Sequence, residues 1–307
     1  MNNKKSHLLI AGGTGFIGSY LAKEAIKKKW EVTSLSLTKP KKNRKINSVK
    51  YLIGDITKKK TFYNIGNGYN YVVNLSGHTS NLYKKKFKKK IYKSHAIGSF
   101  NLINYFLDKK IDNFIQIGSS AEYGNAPHAQ KESHVCKPSN IYGLAKLKAT
   151  KYLLKVSKNK NFKGNVLRFF QVYGPKQGKN RAIPQILYNC YKNKYFPASD
   201  GKQIRDFCYI DDVVDAIFKT LIQKKHKGHI INIGNGKGTS FKILITKILN
   251  IAKGGKPLFG EFNLRNHENP VLVPNIDKAK KLLKWKPTTT LIKGLKETLK
   301  HLRKHER

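Results

Sequence analysis

The sequence predicts an α/β fold, a doubly wound parallel sheet with a small C-terminal lobe. Three observations carry that reading. Short apolar runs alternate with amphipathic stretches of helical period. The first run passes through a glycine-rich turn straight into a helix. Beyond about residue 165 the alternation loosens, and Pro175, Pro184, Pro197 and several glycines mark irregular segments. At 307 residues, 39% apolar and 11% aromatic, the chain can bury a sizeable core.

Taken in order, "HLLIAGG" reads as the first strand and "FIGSYLAKEAIKKK" as the first crossover helix. "EVTSLSL", "VKYLIGD" and "YVVNLSG" are the next strands, and their largely apolar runs suit strands covered on both faces. Residues 82–93, "LYKKKFKKKIYK", place Tyr83, Phe87 and Ile91 four apart, so one helix face is apolar and the lysines take the rest. "NFIQIGSS" follows as a strand and "NIYGLAKLKATKYLLKVSK" as a long helix. Strands near 165–173 and 229–234 ("GNVLRFFQVYG", "GHIINIG") return to the sheet. The expected division is residues 1–165 as one domain and 166–307 mostly as a second lobe intertwined with it, whose helices are "TSFKILITKILNIA" and "LIKGLKETLKHLRKH".

The formal net charge of +45 is the first sign of a nucleic-acid binder, yet only seven of the 62 basic residues are arginine. Abundant lysine, asparagine, isoleucine and tyrosine together are what A/T-rich codons give, whereas a nucleic-acid surface favours arginine forks. A nucleic-acid partner is therefore not expected. Cys136, Cys190 and Cys208 stand far apart, with neither C-x-x-C nor a histidine at ligand spacing, so neither disulfides nor a metal site is expected. No run of about 18 apolar residues occurs and the N-terminal apolar run is too brief for a signal peptide, so a cytoplasmic protein without a membrane partner is expected.

In "LLIAGGTGFIG", Gly12, Gly15 and Gly18 are spaced G-x-x-G-x-x-G between a strand and a helix. The first permits a tight turn, the second lets a pyrophosphate approach backbone N–H groups, and the third lets helix and strand pack closely. That is the dinucleotide cradle of a Rossmann-type sheet. NAD sites usually carry an acid at the end of the second strand, but no carboxylate lies between Val32 and Gly54. Ser36, Thr38, Lys39 and Arg44 suit a 2′-phosphate instead. NADP(H) is thus favoured, with NAD(H) the alternative.

"NIYGLAK" sets Tyr142 and Lys146 four apart on one helix face. Bringing a phenol from about 10 to neutrality takes roughly 4 kcal/mol, and an ammonium at about 4 Å in an effective dielectric near 20 supplies about that much. "FIQIGSSAEYG" delivers Ser119 and Ser120 to the carboxyl edge of the sheet, where open α/β sheets bind ligands.

With these residues in place, the chain resembles the extended short-chain dehydrogenase/reductases, in the NAD-dependent epimerase/dehydratase branch that acts on nucleotide sugars. "GGTGFIG", "GDIT", "SSAEYG", "SNIYGLAK", "LRFFQVYGP", "DGKQIRDFCYIDDVVDAI", "INIGNGKGTS" and "KAKKLLKWKPTTTLIKGLKET" follow the family's order and spacing across nearly the whole chain. The resemblance implies that Tyr142 is the acid/base, that Lys146 holds the nicotinamide ribose and tunes the tyrosine, and that Ser119 orients the sugar with Ser120 beside it. It implies cofactor contacts from Gly12, Gly15, Phe16, Ile17 and Gly18, from Asp55 and Ile56 at the adenine, and from Leu75, Ser76 and Gly77 beneath the dinucleotide. It also implies diphosphate contacts from Arg205 and Arg265, and a homodimer built on the crossover helices.

Three departures stand out. Gln171 and His95 occupy places where members often have asparagine. No acid stands at Ser120 or Ala121, where 4,6-dehydratases carry one, and Glu122 comes one place later. Dehydration is therefore disfavoured. NADPH reduction of a nucleotide-linked 4-keto-6-deoxyhexose at C4 is favoured by the second strand and by "GSSAEYG". An NAD-dependent 4-epimerase of the UDP-hexose type is the alternative, and a non-catalytic nucleic-acid-binding protein on the same scaffold is the third reading.

Overall fold

Successive residues of the first strand, β1 (His7–Ala11), serve opposite faces: Leu8 and Ile10 join one apolar cluster, Leu9 and Ala11 another. All four are fully buried, which is why the run shows no polar alternation. The computed structural model describes residues 5–78, 85–160, 162–223, 227–261 and 269–306. The chain continues through β2 (Glu31–Ser36), β3 (Val49–Ile53), β4 (Tyr71–Asn74), β5 (Asn113–Ser119) and β6 (Gly164–Phe169). After these come β7 (Gln171–Tyr173), β8 (Tyr195–Ala198), β9 (Ile204–Tyr209), β10 (Ile230–Ile233), β11 (Gly238–Ser240), β12 (Lys256–Phe259) and β13 (Val271–Leu272).

Seven strands form a wholly parallel sheet in the order β10-β6-β5-β4-β1-β2-β3. The chain leaves β1 in one direction for β2 and β3, then returns to β1's other side as β4. This reversal opens a crevice beyond the carboxyl ends of β1 and β4, the place where such sheets take a ligand.

Both faces are covered. One carries α1 (Phe16–Lys27), whose Leu21, Ala22 and Ala25 pack on Leu8, Ile10 and Val73. The other carries α2 (Lys88–Tyr92), a π turn at Lys93–Ile97, α3 (Gly98–Phe106) and α4 (Ile141–Asn159). There Leu102, Phe106, Leu153 and Val156 cover Leu9, Val72, Phe114 and Val166. Truncating one of these buried leucines to alanine costs about 2–5 kcal/mol. In the lysine-rich segment Ile91 is fully buried while Lys86, Lys88, Lys89, Lys90 and Lys93 are exposed, as its period predicts. Tyr83 lies outside the described residues.

Beyond α5 (Ala182–Tyr191), β9 anchors a second sheet with β7, β11 and β13, and β8 pairs with β12. Buried Asp206 of β9 ties this sheet to the first, accepting from the Asn235 and Lys237 N–H groups just after β10 at 2.7 and 3.2 Å. Asp212 in α6 (Ile210–Leu221) binds the chain's C-terminal part, taking the Thr288 N–H and hydroxyl and the Thr289 N–H at 2.9–3.1 Å. Helices α7 (Phe241–Ala252), α8 (Asp277–Leu283) and α9 (Leu291–His305) complete the molecule. No helix among the described residues is long and apolar enough to cross a membrane.

Candidate active site

The glycine turn after β1 is shaped by close approach. Gly12 has φ +87°, and a Cβ there would meet the Leu75 carbonyl carbon at 2.8 Å. A Cβ on Gly18 would lie 2.4 Å from the Gly12 oxygen, so α1 can rest against the turn only with glycine at that place. Gly15 is the N-cap of α1 and supplies no side-chain cap; no acid stands in its first turn, which includes Phe16 and Ile17. The leading N–H groups of α1 thus face the crevice uncapped, the arrangement that binds phosphate. These features fit a dinucleotide pyrophosphate.

At the end of β2, buried Ser36 accepts the Thr14 N–H at 3.2 Å. Arg44 donates to the Thr14 carbonyl at 3.5 Å and to the Lys176 carbonyl, lacing this end of the turn to the loop after β7. Thr38 and Lys39 are exposed beyond the strand. Asp55 accepts the Thr57 N–H at 2.9 Å, and Ile56 is buried against Gly98 at the start of α3.

Leu75, Ser76 and Gly77 follow β4 across the crevice from Gly12. Buried Asn74 orders them: its Oδ1 accepts from the Ser76 N–H at 3.1 Å, while its Nδ2 donates to Ser99 Oγ at 3.0 Å and to Gln116 Oε1 at 2.9 Å. Ser99 in turn donates to the His95 carbonyl at 2.7 Å. Gly77 has φ +137°, and a Cβ there would fall 2.0 Å from His95 Cε1.

Helix α4 begins at Ile141 because Asn140 caps it, accepting the Gly143 N–H at 2.9 Å. A Cβ on Gly143 would lie 2.3 Å from the Ala121 carbonyl, so the first turn of α4 packs directly on the segment after Ser119. Tyr142 is half-buried in that turn, its ring edge-on to His95 at 5.0 Å. One turn on, Lys146 is buried and donates to the Ile117 carbonyl at 2.8 Å. Burial pulls its ammonium down to about 8, while the Glu122 carboxylate opposes the fall.

Ser119 ends β5 in extended conformation. Its hydroxyl accepts the Ala121 N–H at 3.2 Å, and its own N–H donates to Glu122 Oε1 at 2.8 Å. The other Glu122 oxygen receives Thr150 Oγ1, Arg168 Nε and Arg168 Nη2, each at 2.9 Å. Glu122 and Arg168 are both at most 1% exposed. In the sequence Glu122 stands out only as a misplaced acid, and spacing does not single out Arg168. The structure makes them a buried pair beneath Ser119, and Glu122 is fully committed there. A charge inside the apolar strand "NVLRFF" was the signal available, since a buried charge requires a partner.

Ser120 is buried beside Ser119, and Gln171 is exposed at the start of β7. Arg205 is buried in β9 and donates to the Ile204 and Pro270 carbonyls at 2.8 and 3.0 Å. Arg265 lies outside the described residues. All three cysteines are free thiols, and no cluster of three metal-ligating side chains occurs among the described residues.

The model of the NAD dependent epimerase/dehydratase family matches residues 8–234. The chain belongs to this family. Among similar proteins, a putative UDP-glucose 4-epimerase of Methanocaldococcus jannaschii is 28% identical over 310 residues, covering 98% of this chain and 99% of that one. A dTDP-4-dehydro-6-deoxyglucose reductase of Escherichia coli is 26% identical, covering 99% of both chains. The UDP-glucose 4-epimerase of Thermotoga maritima, solved with UDP-glucose, superposes with a TM-score of 0.92 at 25% identity, covering 98% of this chain and 100% of that one. Other solved neighbours of the same fold are complexed with NAD. This chain is thus a member of an NAD(P)-dependent nucleotide-sugar enzyme family with a Rossmann-like parallel sheet.

Proposed function

We propose that the protein is a nucleotide-sugar oxidoreductase working at C4 of the hexose, and that its net reaction is 4-epimerisation of a nucleotide-diphosphate hexose. The observation that supports this is Lys146 Nζ donating to the Ile117 carbonyl near the carboxyl end of β5, with Ser119 ending that strand and Tyr142 one turn before Lys146 on α4. Full-length likeness to UDP-glucose 4-epimerases supports epimerisation, beside a likeness of the same extent to a dTDP-4-dehydro-6-deoxyglucose reductase.

A bound nicotinamide supplies the hydride acceptor and donor. Tyr142 takes the proton from the sugar's C4 hydroxyl and later returns it to the oxygen of the inverted centre. Lys146 holds positive charge against the phenolate, and Ser119 donates to the sugar oxygen as it gains or sheds charge. Glu122, locked to Arg168, is not placed to expel a 6-hydroxyl, which weighs against dehydration. Ser120, Gln171, Arg205 and Arg265 are proposed to hold sugar and diphosphate, largely from residues 166–307, with Asp55, Ile56 and Leu75 to Gly77 along the cofactor. The outer surfaces of α2, in the lysine-rich segment, and of α4 are proposed to pair two copies, so the protein should sediment as a dimer at micromolar concentration; a monomer would refute this.

A second reading rests on β2. With no carboxylate near its end, and with Ser36 and Arg44 at the turn, NADPH-dependent reduction of a 4-keto-6-deoxyhexose suits the adenosine end better. One experiment separates the two. The dinucleotide released on denaturing the purified protein is identified, and UDP-glucose is incubated with the protein. Released NAD with conversion to the 4-epimer supports epimerisation. Protein that is empty until NADPH is added, and inert toward UDP-hexoses, overturns it in favour of reduction.

A further inference from the structure

Two residues just past β7, Pro175 and Lys176, are contacted by three parts of the cofactor cradle. The Tyr20 hydroxyl of α1 donates to the Pro175 carbonyl at 3.1 Å. Arg44, in the loop after β2, donates through Nη2 to the Lys176 carbonyl and through Nη1 to the carbonyl of Thr14 in the glycine turn. In return the Lys176 ammonium donates to the Asn43 carbonyl at 2.7 Å. Lys176 stands at φ +65°, a left-handed backbone that a lysine keeps only where its surroundings hold it there.

The charges in this clasp repel one another. Burial, with the Lys23 and Arg44 cations, pulls the Lys176 ammonium below the usual lysine range. Among the described residues no carboxylate pairs with Arg44 or Lys176, and nothing accepts from the buried Arg44 Nε. The two sides are thus joined through backbone carbonyls against the repulsion of their own side chains. Nearby negative charge strengthens such a junction. A pyrophosphate resting on the glycine turn, of which Thr14 is part, brings that charge beside the Arg44 guanidinium. The clasped form therefore interacts better with a bound dinucleotide than an open form does, which is the condition for the ligand to shift one toward the other.

On its far side the clasp anchors β7. Gln177 Nε2 donates to the Val172 carbonyl at 2.7 Å, folding the loop back onto that strand. Strand β7 begins at Gln171 and pairs with β9, which carries Arg205, and both residues are proposed above to hold the sugar nucleotide. We propose that Tyr20, Arg44 and Lys176 form a charge-sensitive clasp that dinucleotide binding stabilises and that fixes β7 for the sugar nucleotide, so that the two ligands bind with positive coupling. This rests on the oxidoreductase reading above. The three act through β7 and are positioning residues.

Hydrogen exchange followed by mass spectrometry reads the clasp without turnover. With saturating NADH or NADPH, whichever the parent binds, exchange should slow over residues 12–20 and also over residues 171–191. In Tyr20→Phe, which removes one hydroxyl and leaves the glycine turn untouched, and in Arg44→Ala, the slowing over 171–191 should be lost while that over 12–20 remains. The coupling is read by titrating the dinucleotide with and without saturating UDP-glucose. UDP-glucose should tighten dinucleotide binding to the parent about 5-fold or more, and this gain should fall toward none in both variants. Without UDP-glucose, Tyr20→Phe should bind the dinucleotide within a few-fold of the parent. Slowed exchange over 12–20 with none over 171–191, slowing there that both variants retain, or a coupling that both variants keep, overturns the proposal and leaves the functional reading standing. A parent that binds neither dinucleotide overturns the functional reading itself. Slowing over 171–191 that both variants lose, in a protein that takes no UDP-glucose, supports the clasp and overturns the choice of a UDP-hexose alone.

Discussion

Replacing Glu122 by glutamine keeps the shape of the side chain and removes its charge. Four donors converge on this carboxylate: the Ser119 N–H, the Thr150 hydroxyl and two nitrogens of Arg168, all within 2.8–2.9 Å. A glutamine must turn its NH2 toward one of these donors, and Arg168 is left charged at 1% exposure. Removing one partner of a buried ion pair costs roughly 3–5 kcal/mol. With about 2.1 cal/mol/K of unfolding entropy per residue, 307 residues give about 0.6 kcal/mol/K, so Tm should fall by about 5–8 °C. Thermal melts followed by circular dichroism measure this. The double replacement Glu122→Leu with Arg168→Met should recover part of the loss, because the apolar pair leaves no buried charge, while the Ser119 N–H and the Thr150 hydroxyl lose their acceptor and keep a cost of about 1–3 kcal/mol. It should not recover turnover, since the Ser119 N–H still lacks its acceptor. A Glu122→Gln protein melting within about 1 °C of the parent would refute the assignment of the pair as the support beneath Ser119.

Gly18→Ala places a methyl 2.4 Å from the Gly12 oxygen and should abolish dinucleotide binding, measured by fluorescence titration; unchanged affinity would mean the cofactor does not rest on this turn. Lys146 is charged below about 8 and neutral above, so kcat/KM should fall as pH rises through that value, and a profile flat to pH ~10 would contradict its role. The sign for stability is opposite: the folded form disfavours this ammonium, so the penalty is present below about 8 and is relieved as pH rises toward the unfolded value of 10.5.

Much of the fold was readable because its signals are local. The apolar runs of β1, β4, β5 and β6 declare strands buried on both faces, and Gly12, Gly15 and Gly18 declare the turn between β1 and α1. The four-residue step from Tyr142 to Lys146 is geometry that any helix supplies. What escaped is non-local. The apolar runs within "YVVNLSG", "NFIQIGSS" and "GNVLRFF" are interrupted by Asn74, Gln116 and Arg168. Their partners lie far along the chain: Asn74 meets Ser99 and Gln116, and Arg168 meets Glu122. The pattern says that a partner must exist, since a buried polar group without one is costly, but spacing does not name it. His95 was visible only as a departure, and spacing does not name the His78 carbonyl that holds its Nε2.

The most direct measurement of the central claim is turnover of a nucleotide hexose by Tyr142→Phe alongside its dinucleotide affinity. The variant removes one hydroxyl and leaves the ring that packs on His95. Turnover should disappear while cofactor affinity stays within a few-fold of the parent. Turnover that survives the loss of that hydroxyl would contradict the account.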